Sequence, residues 1–501
     1  LMRKIIYGPP GTGKTWTLLN EVEKYLKETP PNKIGYFTFS KNAAREGKER
    51  AMNKFKLSDD DLPYFQTLHS FCYNQIELNT NQVMKSKHYK EFGEIVDIEK
   101  EEIVKNNSQN GVFHSNPYMQ LINVARSKDM DPIEYYHVGA NEKLSLNKLE
   151  IIYKELKKFK KEKGLVDFHD MLERFLNGHP ETGDQYKSPN LRVAFIDEAQ
   201  DLSWLQWKLV YKIEESSTES VIAGDDDQAI YRWNGAHVNT FINLEGERKI
   251  LEQSRRVPRK PFELANKIIS QVKDRVEKKY YPKDQEGSVH RCQNLYEIDF
   301  TKGRWLVLAT ANYMLEEIGI ILDEKGLYWQ RRNATPRVRN IYDIIQKWEE
   351  LKKGVPLHYN DCKKIKSKMD NNNWDTKFFK AMSKDKFYDI DILKEKFGLN
   401  IEDSWEIALN ELFEEDIKKI NKLINAGEDL SKAPRISLST IHGVKGNERE
   451  NVVVHTELSG AAFEEYQINP DDTHRLFYVA CTRTEDSLYI IEPKTKKAYD
   501  I

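Results

Sequence analysis

Short apolar runs that end abruptly on glycine or an acid recur along this chain. Ile5–Tyr7 leads into Gly8, Val193–Ile196 into Asp197 and Glu198, and Val221–Ala223 into Gly224. An apolar run of this length with a turn signal behind it reads as a short buried strand. The pattern returns in the second half. There "RWLVLATANYMLEEIGIILDEKGLYW" reads strand, helix, strand with Leu306–Leu308 buried, and "RISLSTIH", "NVVVHTE" and "SLYIIEP" supply further strands. Two stretches carry a helical period instead. Leu149, Ile152, Tyr153, Leu156 and Phe159 fall at i, i+3, i+4 spacing and stop at Gly164, a residue suited to a helix C-terminus. Ile407, Leu412, Phe413, Ile417, Ile420, Leu423 and Ile424 form a second helical series, closed by Gly427, and "DNNNWD" (370–375) reads as a turn before it.

Composition narrows the class. At 501 residues the chain is long for one core, so several domains are expected. Its 78 basic and 80 acidic residues nearly cancel, so any affinity for nucleic acid must come from local patches. Cys72, Cys292, Cys362 and Cys481 are scattered singly, which argues against a disulfide framework or a zinc site and for a reducing compartment. No apolar run approaches the ~20 residues of a membrane helix, and the sequence opens directly on a strand rather than on a secretory signal. A cytoplasmic protein with no membrane partner is the expectation.

The first chemistry lies in "KIIYGPPGTGKTWTLL", a strand, a glycine-proline loop and a helix. Gly8, Pro9, Pro10, Gly11, Thr12, Gly13, Lys14 and Thr15 complete the pattern GxxxxGK[ST]. Glycines let backbone N–H groups turn inward around phosphate oxygens, and the helix N-terminus adds its positive dipole end. Lys14 then reaches the β- and γ-phosphates, and the Thr15 hydroxyl ligates Mg²⁺. Such a loop needs a carboxylate at the end of a neighbouring parallel strand, and "LRVAFIDEAQDLS" supplies two. Asp197 is expected to hold Mg²⁺, and Glu198 to act as the base toward the attacking water.

A third stretch, "GDDDQAIYRWNGA" (224–236), joins three aspartates and a glutamine to two large aromatics. Three adjacent acids are foreign to a core strand unless each buried charge has a partner. Gln228 is placed to sense the γ-phosphate or the water. Tyr231 and Trp233, pointing away from the nucleotide, are either stacking platforms for unpaired bases or a pair packed in an interdomain core.

GPPGTGKT, DEAQD and GDDDQAIYRW, in this order, resemble the superfamily 1 DNA helicases of the UvrD, Rep and PcrA type. Further stretches fit the same family. "FTFSKNAAREGKER" (37–50) resembles motif Ia, with Phe39 at a DNA-contacting position, and "TLHSF" (67–71) resembles motif Ib, with His69. "LEQSRR" (251–256) resembles motif IV, "STIHGVKGNE" (439–448) motif V and "RLFYVACTR" (475–483) motif VI. The resemblance implies two arginine fingers, Arg256 and Arg483, whose guanidinium forks match the charge spread over a transferring phosphoryl group. It also implies a ribose contact at Glu448 and DNA contacts at Thr440, His442 and the near-terminal Tyr499. The family's adenine sandwich pairs an arginine after the P-loop threonine with a motif IV tyrosine. Here those positions hold Trp16 and Arg255, so either the sandwich persists with aromatic and cation exchanged, or Trp16 packs into the core and Arg255 meets solvent.

The implied fold is α/β, with two RecA-like P-loop NTPase cores built on parallel sheets, each carrying a mainly helical insertion. Residues 1–70 and 165–250 are expected to form core 1A, around an insertion 1B at 71–164. Residues 251–330 and 435–501 are expected to form core 2A, around a short insertion 2B at 331–434. ATP would lie in a cleft between the cores. The lysine run "KKFKKEKG" closing the 1B helix is either a solvated face or a patch that tracks the backbone of a nucleic acid. Three departures stand out: the sequence opens at the P-loop strand without the family's glutamine motif, Asn234 replaces an arginine after Trp233, and about 18 residues follow Arg483, too few for a nuclease domain. Without the glutamine motif, weak selectivity for ATP over GTP is expected.

The resemblance therefore implies an ATP- and Mg²⁺-dependent DNA helicase, monomeric, translocating 3′→5′ on single-stranded DNA and acting at single-strand/duplex junctions. Its rivals are a translocase that displaces proteins or needs a partner to unwind, a DNA-binding NTPase switch, and an RNA motor.

Overall fold

The computed structural model describes residues 2–98, 116–139, 144–179, 182–332 and 334–501, with the short paired strands Lys105–Asn106 and Val112–Phe113. Part of the 71–164 insertion therefore lies outside the described residues. The chain divides into two compact units. The first runs to Gly287 and takes in Glu464–Arg483; the second comprises Ser288–Phe463 and Thr484–Ile501. Residues 251–287 and 464–483, assigned from motif positions to the second core, thus group with the first sheet.

The first unit is built on six parallel strands: β1 (Met2–Tyr7), β2 (Ile34–Thr38), β3 (Phe65–Thr67), β4 (Leu191–Asp197), β5 (Ser217–Gly224) and β6 (Glu247–Ile250), in the order β3-β2-β4-β5-β1-β6. Alternate residues feed opposite faces. Ile5, Phe37, Ile196 and Ile222 pack with Phe71 and Trp207 on one face. Ile6, Tyr36, Val193, Phe195 and Val221 pack with Leu18 and Val22 on the other. Cover on both faces is why these strands read as unbroken apolar runs. The order corrects one expectation: the acid-bearing strand β4 is not the immediate neighbour of β1. β5 stands between them, with Tyr7 in register with Gly224 and Ile196 with Ile222.

Within 71–164, the helices Ser86–Ile95, Pro117–Ser127 and Leu146–Lys163 enclose Phe92, Met119, Ile122, Ile152, Leu156 and Phe159. Leu146–Lys163 ends as its period implies, at Gly164 with φ 61° and an N–H to Lys160 O. Its lysine run is largely tied down. Lys160 is buried against Asp167 and Asp170 (2.6 and 2.8 Å), Lys163 meets Glu91 at 2.7 Å, and Lys157 lies over the Tyr153 ring.

The second unit carries β7 (Ser288–Cys292), β8 (Trp305–Ala309), β9 (Trp329–Arg331), β10 (Ile436–Thr440), β11 (Arg449–His455) and β12 (Thr484–Ile491), parallel and ordered β9-β10-β8-β11-β12-β7. Its 331–434 stretch packs mainly short helices around Trp348, Trp374, Leu393 and Leu409. The helical series from Ile407 to Ile424 is broken. Trp405–Ala408 and Glu414–Asn425 are separate helices, and Ile407, Phe413 and Ile424 are exposed. Leu409 and Leu412 turn into the core between them. Glu414, Glu415 and Asp416 then start the second helix where acids favour a new N-terminus. Among the described residues no helix is long and apolar enough to cross a membrane.

Candidate nucleotide site and aromatic cleft

The loop after β1 is held open from both sides. Gly8 N–H donates to Gly224 O at 2.9 Å, and Thr12 folds back on Pro9 O through its N–H and its hydroxyl. Gly11 and Gly13 adopt φ 75° and 80°, the left-handed region that glycine enters without strain. The helix Lys14–Leu26 begins immediately behind, so its first N–H groups point into the loop.

Lys14 Nζ lies 2.8 Å from Glu198 Oε1 and 3.5 Å from Asp197 Oδ1. Burial opposes its charge, but the two carboxylates outweigh burial and hold the ammonium above its ordinary range. Burial raises Asp197, against the pull of Lys14. Tyr36 OH donates to Asp197 Oδ2 at 2.8 Å and Thr15 Oγ1 approaches the same oxygen at 3.5 Å. Lysine, hydroxyl and two acids thus converge at the carboxyl edge of the sheet, the donor set that a magnesium triphosphate needs. Tyr36 was missed because "IGYFTF" reads as core, and it is core apart from that hydroxyl.

The stretch 251–256 straps this loop. Arg255 N–H donates to Gly11 O at 2.9 Å and Ser254 Oγ to Pro10 O at 2.7 Å, while Ser254 Oγ accepts the N–H groups of Arg256 and Val257. The approach is so close that a Cβ on Gly11 would stand 2.5 Å from Arg256 Cβ. Arg256 is therefore beside the P-loop. Trp16 is 57% exposed rather than part of the core, and the Arg255 guanidinium lies 5.6 Å from its ring centroid.

The three aspartates are buried with partners the sequence did not reveal. Lys278 Nζ reaches Asp226 at 2.5 Å, Asp227 at 3.0 Å and Asp225 at 3.4 Å. Arg275 grips Asp227 through both Nε and Nη2. Gln228 Nε2 donates to Asp225 at 2.7 Å, and its Oε1 accepts Arg483 Nη2 at 2.7 Å. Arg483 is itself buried, with Nε donating to Val479 O. It is brought there by the helix Pro470–Cys481, whose Arg475 donates to Asp226 O and whose Tyr478 meets Tyr280 hydroxyl to hydroxyl.

Beyond Gln228 the chain enters a cleft. Phe39, His69, Tyr231 and Trp233, drawn from three separated stretches, line it together. Tyr231 tilts against Phe39 with centroids 5.9 Å apart, and Trp233 is 53% exposed, which excludes core packing for that ring. His69 stands edge-on to Phe168, and burial pushes it down to about 4, so it is neutral near pH 7. The rest of the lining was not foreseen. Gln120, Asn123 and Ser127 come from the helix Pro117–Ser127, and His169, 2.9 Å from Ser127 Oγ, comes from Phe168–Asn177. Asn234 also lines the cleft. Polar residues on a helix otherwise facing a core are the available signal, but one the period alone does not distinguish from a solvated face.

Thr440, His442 and Glu448 belong to the second unit. Thr440 ends β10, its Oγ1 accepting Gly443 N–H at 3.1 Å. His442 follows in a short 3₁₀ turn, pushed down to about 4 by burial, and Glu448 immediately precedes β11. Tyr499 corrects an expectation. It is buried, 1% exposed, with its N–H on Thr456 O and Ala498 bridged to Glu457, so it offers no open face to a base.

Against known proteins, the profile of the UvrD/REP helicase N-terminal domain family matches residues 3–249. The ATP-dependent DNA helicase PcrA of Bacillus subtilis is 25% identical over 345 residues, 66% of this chain and 45% of that protein. The ATP-dependent DNA helicase Rep of Buchnera aphidicola is 24% identical over 299 residues, 57% of this chain and 43% of that protein. The aligned part of the chain thus spans less than half the length of these relatives. The solved structures of the PRRSV helicase and of arterivirus nonstructural protein 10 overlay on 99% of the chain at 10% and 11% identity, covering 53% and 60% of those chains, but at a TM-score of 0.34 each they carry no argument. The family match thus covers residues 3–249, just under half of the chain, and the PcrA and Rep similarities point the same way, to the UvrD/Rep/PcrA family of superfamily 1 helicases.

Proposed function

We propose that the chain is an ATP-driven DNA helicase that moves 3′→5′ along single-stranded DNA. One observation carries this reading. The stretch 224–236 starts against the P-loop, ties Gln228 to Arg483, and ends with Tyr231 and Trp233 in the aromatic cleft. Fuel chemistry and a base-sized aromatic surface are thus ends of one short segment.

Phosphate oxygens cradled in the loop compete for Lys14 and draw it off Glu198. The freed carboxylate oxygen takes a proton from the attacking water. Arg256 and Arg483 stabilise the charge on the transferring phosphoryl group, and Gln228, bonded to Arg483, registers its loss. Thr15 and Asp197 would hold Mg²⁺, which when bound neutralises phosphate charge. Glu448 would meet the ribose, and Thr440 and His442 the DNA, as in the family. Displacement of a labelled strand from 3′- and 5′-tailed duplexes by the purified protein tests the proposal. Unwinding from the 3′ tail is expected. DNA-stimulated hydrolysis without strand or protein displacement would favour a switch, displacement of bound protein alone a translocase, and stimulation by RNA over DNA an RNA motor.

Two variants probe the ends of the segment. Trp233→Ala removes an exposed ring, so basal hydrolysis persists while affinity for single-stranded DNA falls by ~1–3 kcal/mol in a fluorescence titration. Normal DNA affinity would take Trp233 out of the track. For Trp16, a purine between ring and guanidinium needs about 7 Å, two contacts of ~3.5 Å, so the facing pair parts slightly to admit it. Trp16→Ala then raises the KM for ATP roughly two- to thirty-fold, the loss of a ~0.5–2 kcal/mol stack. The KM for GTP rises equally, because stacking is blind to the ring edge. An unchanged KM ends the sandwich.

A further inference from the structure

Gln200 lies inside the acid motif yet takes no part in the chemistry above. It is fully buried, and both ends of its carboxamide are engaged. Nε2 donates to Glu198 Oε2 at 2.6 Å, and Oε1 accepts the N–H of Asp225 at 2.9 Å. Because Asp225 offers a backbone donor there, the facing atom must be the oxygen, and the NH₂ is left to grip Glu198. Room for the amide comes from Gly224, where a Cβ would stand 2.5 Å from Oε1. The strand-end glycine is thus required by a side chain, not by its own backbone.

The bonds continue past Asp225. Its carboxylate accepts Gln228 Nε2, and Gln228 Oε1 accepts Arg483, a group that can only donate. Glu198, Gln200, Asp225, Gln228 and Arg483 therefore form one unbroken series with both amides fixed in orientation. Glu198 has φ 56° and ψ 39°, a left-handed backbone that surrounding contacts must maintain. When Lys14 turns to phosphate, Gln200 still grips Oε2.

We propose that Gln200 is a positioning residue that aims the Glu198 carboxylate and relays to it any shift of the Gln228–Arg483 pair. The inference rests on the reading of Glu198 as the base. Q200E sets an oxygen against Glu198 Oε2 in place of the amide's donor, so the carboxylate loses the group that aims it. The kcat for ATP is expected to fall at least ~10-fold, with KM within ~2-fold of the parent. A parental kcat, or a KM that worsens along with the loss, overturns the proposal; the second is what damaged packing gives. If a thermal melt shows Q200E unfolded, Q200M keeps the volume without the amide. It is expected to lose kcat at least ~10-fold with KM kept, and a parental kcat again overturns the idea. Failure of E198Q to slow turnover, by contrast, would overturn the assignment of the base itself.

Discussion

Glu198→Gln lowers ATP turnover by ~10²–10⁴-fold while nucleotide still binds. The amide has the carboxylate's shape but cannot accept a proton from water. The cradle, Thr15 and Lys14 remain, so a fluorescent ATP analogue keeps its affinity. Lys14→Ala stops turnover by a different route. It removes the cation that Glu198 and Asp197 face at 2.8 and 3.5 Å, and with it a contact to the triphosphate, so binding is weakened as well. Single-turnover hydrolysis alongside equilibrium binding separates the two. Glu198→Gln turning over within twofold of the parent would remove this residue from the chemistry.

Lys278→Met destabilises the protein by about 3–5 kcal/mol, because it strips the shared cation from buried carboxylates without removing them. The loss depends on pH. Burial pushes Asp225 up to about 6 against the pull of Lys278, and raises Asp226 in the same way. Asp227 is held low despite burial by Lys278 and Arg275. A folded value above the unfolded ~4 means that the Asp225 contribution is present below pH 4 and lost as pH rises through 6. Without Lys278 that value climbs further, so the penalty grows with pH. The fall in Tm, on the order of 10 °C, should be larger at pH 8 than at pH 5.5. Equal falls would assign the effect to packing rather than to charge.

The sequence made the strand ends legible and left their supports hidden. Gly8–Thr15, Asp197 and Glu198 follow apolar runs directly, and Gln228 lies just past one, so local pattern places them at a sheet edge. Lys278 answers Asp226 from about fifty residues away, inside "KDRVEKKYY", which reads as an ordinary solvated run. Charge pairing at that separation has no periodic signature. Lys160 was hidden likewise, in a lysine run whose other members are on the surface. The strand order escaped for a related reason: hydrophobic runs identify strands, whereas only pairing reveals that β5 divides β1 from β4. In the second unit, apolar spacing ran on through Leu412 and Phe413 although the backbone breaks there. The acids at 414–416 were the better guide, since they mark a helix start.

The first unit's chain path also sets an order of assembly. Its sheet is complete by Ile250, yet Arg475 and Arg483 arrive only with Glu464–Arg483, after the whole of Ser288–Phe463 has been made. At ~5–20 residues per second a ribosome needs on the order of ten seconds or more for that interval. During it the nascent sheet has its phosphate loop and its acids, but the carbonyl of Asp226 and the amide oxygen of Gln228 await the arginines that answer them. On the proposed reading, a chain released before residues 464–483 would hold the phosphate loop and its acids without Arg483, so full hydrolysis waits on a segment made long after the sheet that it completes.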